Sequence, residues 1–233
     1  MLGPTVNAIA IVVCSLVGRF LIRGIPPRFE DIIKKAIGLS IIYVGINGAL
    51  ENQRVLLLIL SMVAGSALGE LINIDAMINR LGLWAERKLG MEGAQRSFSK
   101  GFVTASILYC SGAMAILGSM QSGLEGIHTI LFTKTILDGA ISVVFAASMG
   151  IGVAFSAIPV FLYQSGIALA SMTIRDFLTQ DIIREMSAVG SLIVAAIGFN
   201  FLGVKEIRVA NFIPAIFIPL LYMSIERIFL AVP

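Results

Sequence analysis

Charge is scarce in this chain. Only 13% of its 233 residues are Asp, Glu, Lys or Arg, whereas a soluble domain carries about a quarter. That excludes a water-solvated globule. Histidine occurs once, at His128, and cysteine twice, at Cys14 and Cys110. These isolated residues make no metal-ligand spacing, so no metal site is expected, and the two cysteines fall in apolar stretches where thiols behave as small hydrophobes. The chain also lacks a phosphate-cradling glycine loop with lysine, a His-Glu-x-x-His and any visible nucleophile–base arrangement. No catalytic residue and no cofactor is therefore expected, and the chain does not read as an enzyme. The net charge of +3 lies in loops between apolar blocks, which argues against nucleic acid as a partner and for a role in membrane orientation.

What is present is apolar. Hydrophobic residues make up 58% of the chain, mean hydropathy is +0.95, and the excess recurs in blocks of roughly 17–25 residues, the length that crosses a bilayer core as a helix. This predicts an all-α, polytopic transmembrane helix bundle of about seven or eight spans, one membrane domain over 1–233, with the lipid bilayer as its surroundings. Eight segments are expected, near 5–22, 32–50, 55–74, 101–120, 129–150, 156–172, 186–204 and 209–225. The first lacks a basic n-region and a small-residue cleavage site, so it reads as a retained span and not as a signal peptide. Between the third and fourth, 76–90 reads as an amphipathic interfacial helix: Met77, Ile78, Leu81, Trp84 and Leu89 share a face, with Trp84 at headgroup level.

Basic residues divide by side. Arg19, Arg23, Arg28, Lys34 and Lys35, then Arg80, Arg87, Lys88, Arg96 and Lys100, then Lys205 and Arg208, fall on loops that share one side if every segment crosses. The opposite loops hold Arg54, Arg175 and Arg184, with Arg227 in the tail. The positive-inside rule then places both termini outside the cytoplasm. A re-entrant segment near Gly150–Pro159 would change that count.

Lys134 and Asp138 stand out because they lie inside an apolar span, where an ionisable group is costly unless paired or reached by water. A spacing of four puts them on one helical face. Two readings stand side by side: a private ion pair serving only packing, or a cation or proton site with Asp138 as ligand and Lys134 as counter-ion. Asn7, Asn47, Gln164 and Asn200 are amides in or at the ends of spans, each needing a hydrogen-bond partner. Gln164 lies in the polar run Tyr163-Gln164-Ser165-Gly166. Glu70 follows the ladder Ser61-xxx-Gly65-xxx-Gly69, which admits a close helix from within the chain or across a homodimer; the carboxylate itself could simply reach the interface. Thr104, Ser106, Cys110 and Ser111 could line a path or bond their own helix. Gly150, Gly152 and Pro159 interrupt the apolar tract, either as an ordinary turn or as a broken helix of the kind that forms transporter sites. Pro214 and Pro219 should kink the last span.

There is a faint internal repeat. Asn7-Ala-Ile-Ala-Ile-Val-Val followed by Gly18 and Ile25-Pro26 resembles Asp138-Gly-Ala-Ile-Ser-Val-Val followed by Gly150 and Ile158-Pro159. It would divide the chain into halves 1–123 and 124–233 and set Asn7 in register with Asp138.

Longer stretches carry a family resemblance: Gly3-Pro-Thr-Val-Asn7-Ala, Gly101-Phe-Val-Thr-Ala-Ser, Gly112-Ala-Met-Ala-Ile-Leu-Gly-Ser-Met-Gln-Ser-Gly123, Lys134-Thr-Ile-Leu-Asp-Gly139, Gly150-Ile-Gly-Val-Ala-Phe-Ser-Ala-Ile-Pro159, Tyr163-Gln164, Ser187-Ala-Val-Gly190 and Ile207-Arg-Val-Ala-Asn211. Over almost its whole length the chain resembles the YqgA/YdfK family of bacterial inner-membrane proteins. The resemblance implies a multi-pass protein of the bacterial plasma membrane and supplies no substrate. The residues themselves point to a transporter or channel-like protein for an ion or small polar solute, with a monovalent cation or proton bound by Asp138, Lys134, Asn7, Gln164, Asn200 and Glu70. The alternative is a scaffold, sensor or partner subunit whose polar residues only lock helices together. A weaker third is an intramembrane enzyme, which would need a lipid-accessible cavity beside Asp138.

Overall fold

The computed structural model describes residues 1–21, 27–78, 80, 95–174, 178–204 and 207–230. Every regular element among them is helical: α1 (Leu2–Leu21), α2 (Pro27–Ala49), α3 (Val55–Ile72), α4 (Gln95–Ser111), α5 (Ala113–Leu124), α6 (Thr129–Met149), the short α7 (Gly152–Phe155), α8 (Ala157–Ile174), α9 (Gln180–Leu202), a 3-10 helix (Val209–Phe217) and α10 (Ile218–Leu230). The expected amphipathic helix over 76–90 lies largely outside the described residues.

Six helices are long and apolar enough to cross a membrane, or seven if the bent pair α4 and α5 forms one span. The helix α2 has 23 residues, but its apolar part runs only from Lys35 to Ala49. The protein is therefore an all-α membrane bundle.

Close approaches at glycine give the directions of the legs. Gly3 faces Leu131 and Gly18 faces Val143, so α1 and α6 run parallel; a Cβ on Gly18 would collide with the Val143 carbonyl oxygen. Gly38 meets Phe201 while Gly48 meets Ser191, so α2 and α9 run antiparallel. The small-residue ladder is filled from within the chain. Ser61 is fully buried, Gly65 lies against Ala215 and Gly69 against Asn211 of the 3-10 helix, again antiparallel. A methyl group at either glycine would push backbone apart.

The central element is α9. Its apolar window is 72% buried, against 28–44% for the other unbroken candidate spans. It begins at an N-cap, where the Thr179 hydroxyl accepts from the Ile182 N–H and Asp181 occupies the first turn, both favourable at the positive end of a helix. The expected span began at 186; the helix starts at Gln180 and so carries Glu185 into the bundle, while Asp181 and Arg184 pair near its surface. The core around α9 includes Ile193 and Ile197 with Tyr109 and Ala105 of α4 and Phe145 of α6.

Two connections differ from expectation. The segment expected as one span over 101–120 is broken at Gly112, which is extended (φ −79°, ψ 146°), and α4 and α5 meet at 62°. The interruption at Gly150–Pro159 is a turn between two legs. Gly150 ends α6 at φ +79°, a left-handed angle natural to glycine, α7 makes one helical turn, and α8 returns antiparallel along α1. Gly152 packs so tightly on Phe98 that a Cβ would collide with its carbonyl oxygen. Pro159 occupies the first turn of α8, where a missing N–H costs nothing. Pro214 falls within the 3-10 helix and Pro219 in the first turn of α10.

Candidate functional site

The parallel packing of α1 on α6, with α8 antiparallel beside them, places four of the sequence-predicted residues in one buried cluster. Asp138 is the tenth of 21 residues in α6, so it lies at mid-helix. The Lys134 Nζ donates to its Oδ1 at 2.9 Å. The Asn7 Nδ2, on the second turn of α1, donates to its Oδ2 at 3.0 Å and approaches the Gln164 Oε1 of α8 at 3.4 Å. All four side chains are shut away: Asn7 and Gln164 are 0% exposed, Asp138 3% and Lys134 6%. The glycine at 139 helps by letting Cys14 of α1 lie close to α6.

A fourth helix completes the surroundings. Tyr109 of α4, fully buried, lies with its ring centre 5.9 Å from the Lys134 Nζ, within range of a cation–π contact. Its hydroxyl shares a hydrogen bond of 2.8 Å with the Ser142 Oγ. Sequence reasoning missed both. The available signal was a tyrosine beside Cys110 in a span, since a buried phenol needs a partner, and Ser142 four residues beyond Asp138 on the same face.

The cluster is charge-balanced but not hydrogen-bond-balanced. Among the described residues, the Asn7 Oδ1, the Gln164 Nε2 and the Ser165 Oγ are buried without a partner. An unpaired buried polar atom costs about 1–3 kcal/mol, so the two on the touching Asn7 and Gln164 amides mark a spot where water or a polar solute would be stabilised. One free acceptor and one free donor are offered by amides that already touch each other.

The other predicted residues lie elsewhere. The Asn200 amide donates to the Ile207 carbonyl and accepts from the Ile207 N–H, both at 2.8 Å, and so clamps the turn after α9. Glu70 is exposed; its Oε1 accepts from Arg208 at 2.7 Å and its Oε2 from the Asn211 Nδ2 at 2.6 Å. Asn211 in turn accepts from the Asp75 N–H at 2.8 Å. These bonds tie α3 to the 3-10 helix at the end of the bundle. Asn47 faces outward on α2. Ser106 and Ser111 bond to the carbonyls of Phe102 and Leu108 on their own helix. Gly150 is twelve residues beyond Asp138, about 18 Å along a helix, so Gly150, Gly152 and Pro159 shape the turn and not the cluster.

Apolar helices of membrane-crossing length, packed around a mid-depth ion pair, define a multi-pass helical membrane protein. The chain matches, over residues 2–224, the family described as "Protein of unknown function (DUF554)", and it belongs to that family. It is similar to the uncharacterized membrane protein YdfK of Bacillus subtilis (strain 168), 30% identical over 223 residues covering 94% of each chain. It is also similar to the uncharacterized protein YqgA of Escherichia coli (strain K12), 28% identical over 219 residues covering 93% of each. No solved structure matches.

Proposed function

We propose that this protein passes a small monovalent cation, a proton or Na⁺, across the plasma membrane of a bacterium, with Asp138 as its binding group. The observation that carries the reading is the buried cluster itself, in which three helices converge on a carboxylate whose neighbours leave polar atoms unpartnered. An intramembrane ionisable residue facing a bundle interior marks an ion or proton path by default.

In the described state Lys134 occupies Asp138 as an internal substitute for the cargo. The Asp138 Oδ2 and the Gln164 Oε1 both contact the Asn7 Nδ2, so these two oxygens already converge. A half-turn of the Asn7 amide exchanges nitrogen for oxygen at nearly the same place. That motion turns the cluster into three oxygens around one point, a coordination suited to a hard monovalent cation, while Lys134 swings away. Return of the ammonium expels the ion. The carboxylate thereby stays neutralised through the cycle, and the cost of parting the buried ammonium from it favours the ammonium's return. If α2 also crosses, making eight legs, the excess of Lys and Arg on one set of loops puts both termini outside the cytoplasm. On this reading the protein is a transporter or channel and not an enzyme.

The test is ion flux in proteoliposomes. Asp138→Asn should abolish a Na⁺ or proton flux that the wild type supports, and an unchanged set of cation and proton fluxes would sink the proposal. One observation favours a second reading: both Asp138 oxygens are satisfied within the chain. A purely structural lock would show loss of stability in Asp138→Asn with no ion-dependent change in melting temperature in either protein.

A further inference from the structure

A second buried carboxylate lies apart from this cluster. Glu185, in the second turn of α9, is 1% exposed. Its Oε1 accepts from the backbone N–H of Gln53 at 2.8 Å, in the turn joining α2 to α3. Its Oε2 is buried without a partner among the described residues. The bland account is a carboxylate that clamps the turn through one oxygen. It leaves the other oxygen without a hydrogen-bond donor, where buried polar atoms normally have one.

The nearest cations hydrogen-bond elsewhere, although Arg54 and Glu185 lie close enough for their charges to attract. Arg54 donates to Glu226 of α10 at 2.5 Å, and the Arg184 Nη2 donates to Asp181 and to the Gln53 side-chain oxygen, at 2.6 and 2.9 Å. The Arg184 Nε is also without a partner, but residues adjacent in a helix do not face each other. By contrast, Asp138 has its own lysine. In the same turn the Asn52 Nδ2 is spent on the Ala49 carbonyl at 2.6 Å, while the Asn52 Oδ1 is buried and unpartnered. Two orphaned oxygens therefore occur where the α2–α3 turn caps α9, each in a group whose other polar atom is already used. Orphaned acceptors ask for a donor or a cation.

We propose that Glu185, with Asn52, forms a binding site for a small monovalent cation, Na⁺, at the end of the bundle that carries the α2–α3 turn. This site stands on its own geometry and does not depend on the role given to Asp138. Glu185→Gln is the informative change: its Oε1 still accepts from the Gln53 N–H, and its amide N–H takes the place of the bound cation.

The experiment uses the purified full-length chain with a hydrophobic carbodiimide, which modifies a carboxyl group only in its protonated form, and peptide mass spectrometry to read Glu185. At one fixed pH, labelling should be present in choline chloride and suppressed by NaCl, which identifies Na⁺ as a competing occupant. Labelling should survive in Asp138→Asn, which separates this proposal from the preceding one. Wild-type melting temperature should depend on the cation that suppresses labelling, since a ligand of the folded state stabilises it, and Glu185→Gln should lose that dependence. Glu185 that stays unlabelled in both salts, or labels with no response to Na⁺, overturns the site. That wild-type result decides the matter even if Glu185→Gln does not fold.

Discussion

Asp138→Asn, Lys134→Met and their combination form a test that follows directly from burial. Lys134 and Asp138 are 6% and 3% exposed, so removing either partner strands a charge where water does not reach. Breaking a buried pair in this way costs about 3–5 kcal/mol. In a chain of this size each kcal/mol moves the melting temperature by about 2–4 °C, so each single variant should melt roughly 6–20 °C lower. In the double variant no stranded charge is left. The amide oxygen introduced by Asp138→Asn can still accept from Asn7, and the remaining deficit should be about 1 kcal/mol, the worth of one altered hydrogen bond. The coupling between the two sites, the sum of the single penalties less that of the double, should therefore be about 5 kcal/mol or more, well above the additivity error of about 0.5 kcal/mol for independent sites. Size-exclusion profiles after graded heating of detergent-purified protein give the four melting points. Single variants each within about 2 °C of wild type, or penalties that simply add in the double, would refute the claim that this is a dry, mutually dependent pair, and with it the reasoning that singles out Asp138.

Other expectations can be checked with the same assay. Tyr109→Phe keeps the ring over Lys134 but deprives Ser142 of its partner, and should cost about 1 kcal/mol. Tyr109→Ala, which also empties a fully buried site, should cost about 3–5 kcal/mol. Gly18→Val puts side chain where the Val143 carbonyl stands and should separate α1 from α6, seen as lost folded yield together with lost ion flux. Glu70→Gln, at an exposed ion pair, should change stability by less than about 1 kcal/mol. Asn211→Leu, which strips partners from the Asp75 N–H and from Glu70, should cost about 1–3 kcal/mol.

The sequence reveals the cluster further than it reveals the path of the chain. Lys134 and Asp138 were legible because charge inside an apolar block needs a reason, and Asn7 because an amide inside a span needs a hydrogen-bond partner, which it has in Asp138. Gln164 was legible as an amide at mid-span. Asn200 and Glu70 carry the same chemical signal, yet they serve the ends of the bundle; residue type alone does not say whether an amide near a helix end faces a neighbour or closes its own turn. Glu185 was missed because hydropathy trims a span at its first charges, and α9 buries this one carboxylate beneath the α2–α3 turn. The break at Gly112 left no mark. Glycine is common in membrane helices, and nothing in Ser111-Gly112-Ala113 forbids a continuous helix.

The nine-residue 3-10 helix from Val209 to Phe217 is far longer than the three or four residues usual for that form. Its rise of about 2.0 Å per residue carries the chain about 18 Å, where the same residues as α-helix would cover about 14 Å. With α10 following, the last leg spans the bilayer on fewer residues than a plain helix needs. The two forms also differ in winding: nine residues make about three turns in one and two and a half in the other. Passing between them would shorten the leg by about 4 Å and rotate α10, with Glu226 and its hold on Arg54, through about half a turn. In this leg, length and rotation are one variable, set by the hydrogen-bond pattern of a single segment braced on Gly65 and Gly69.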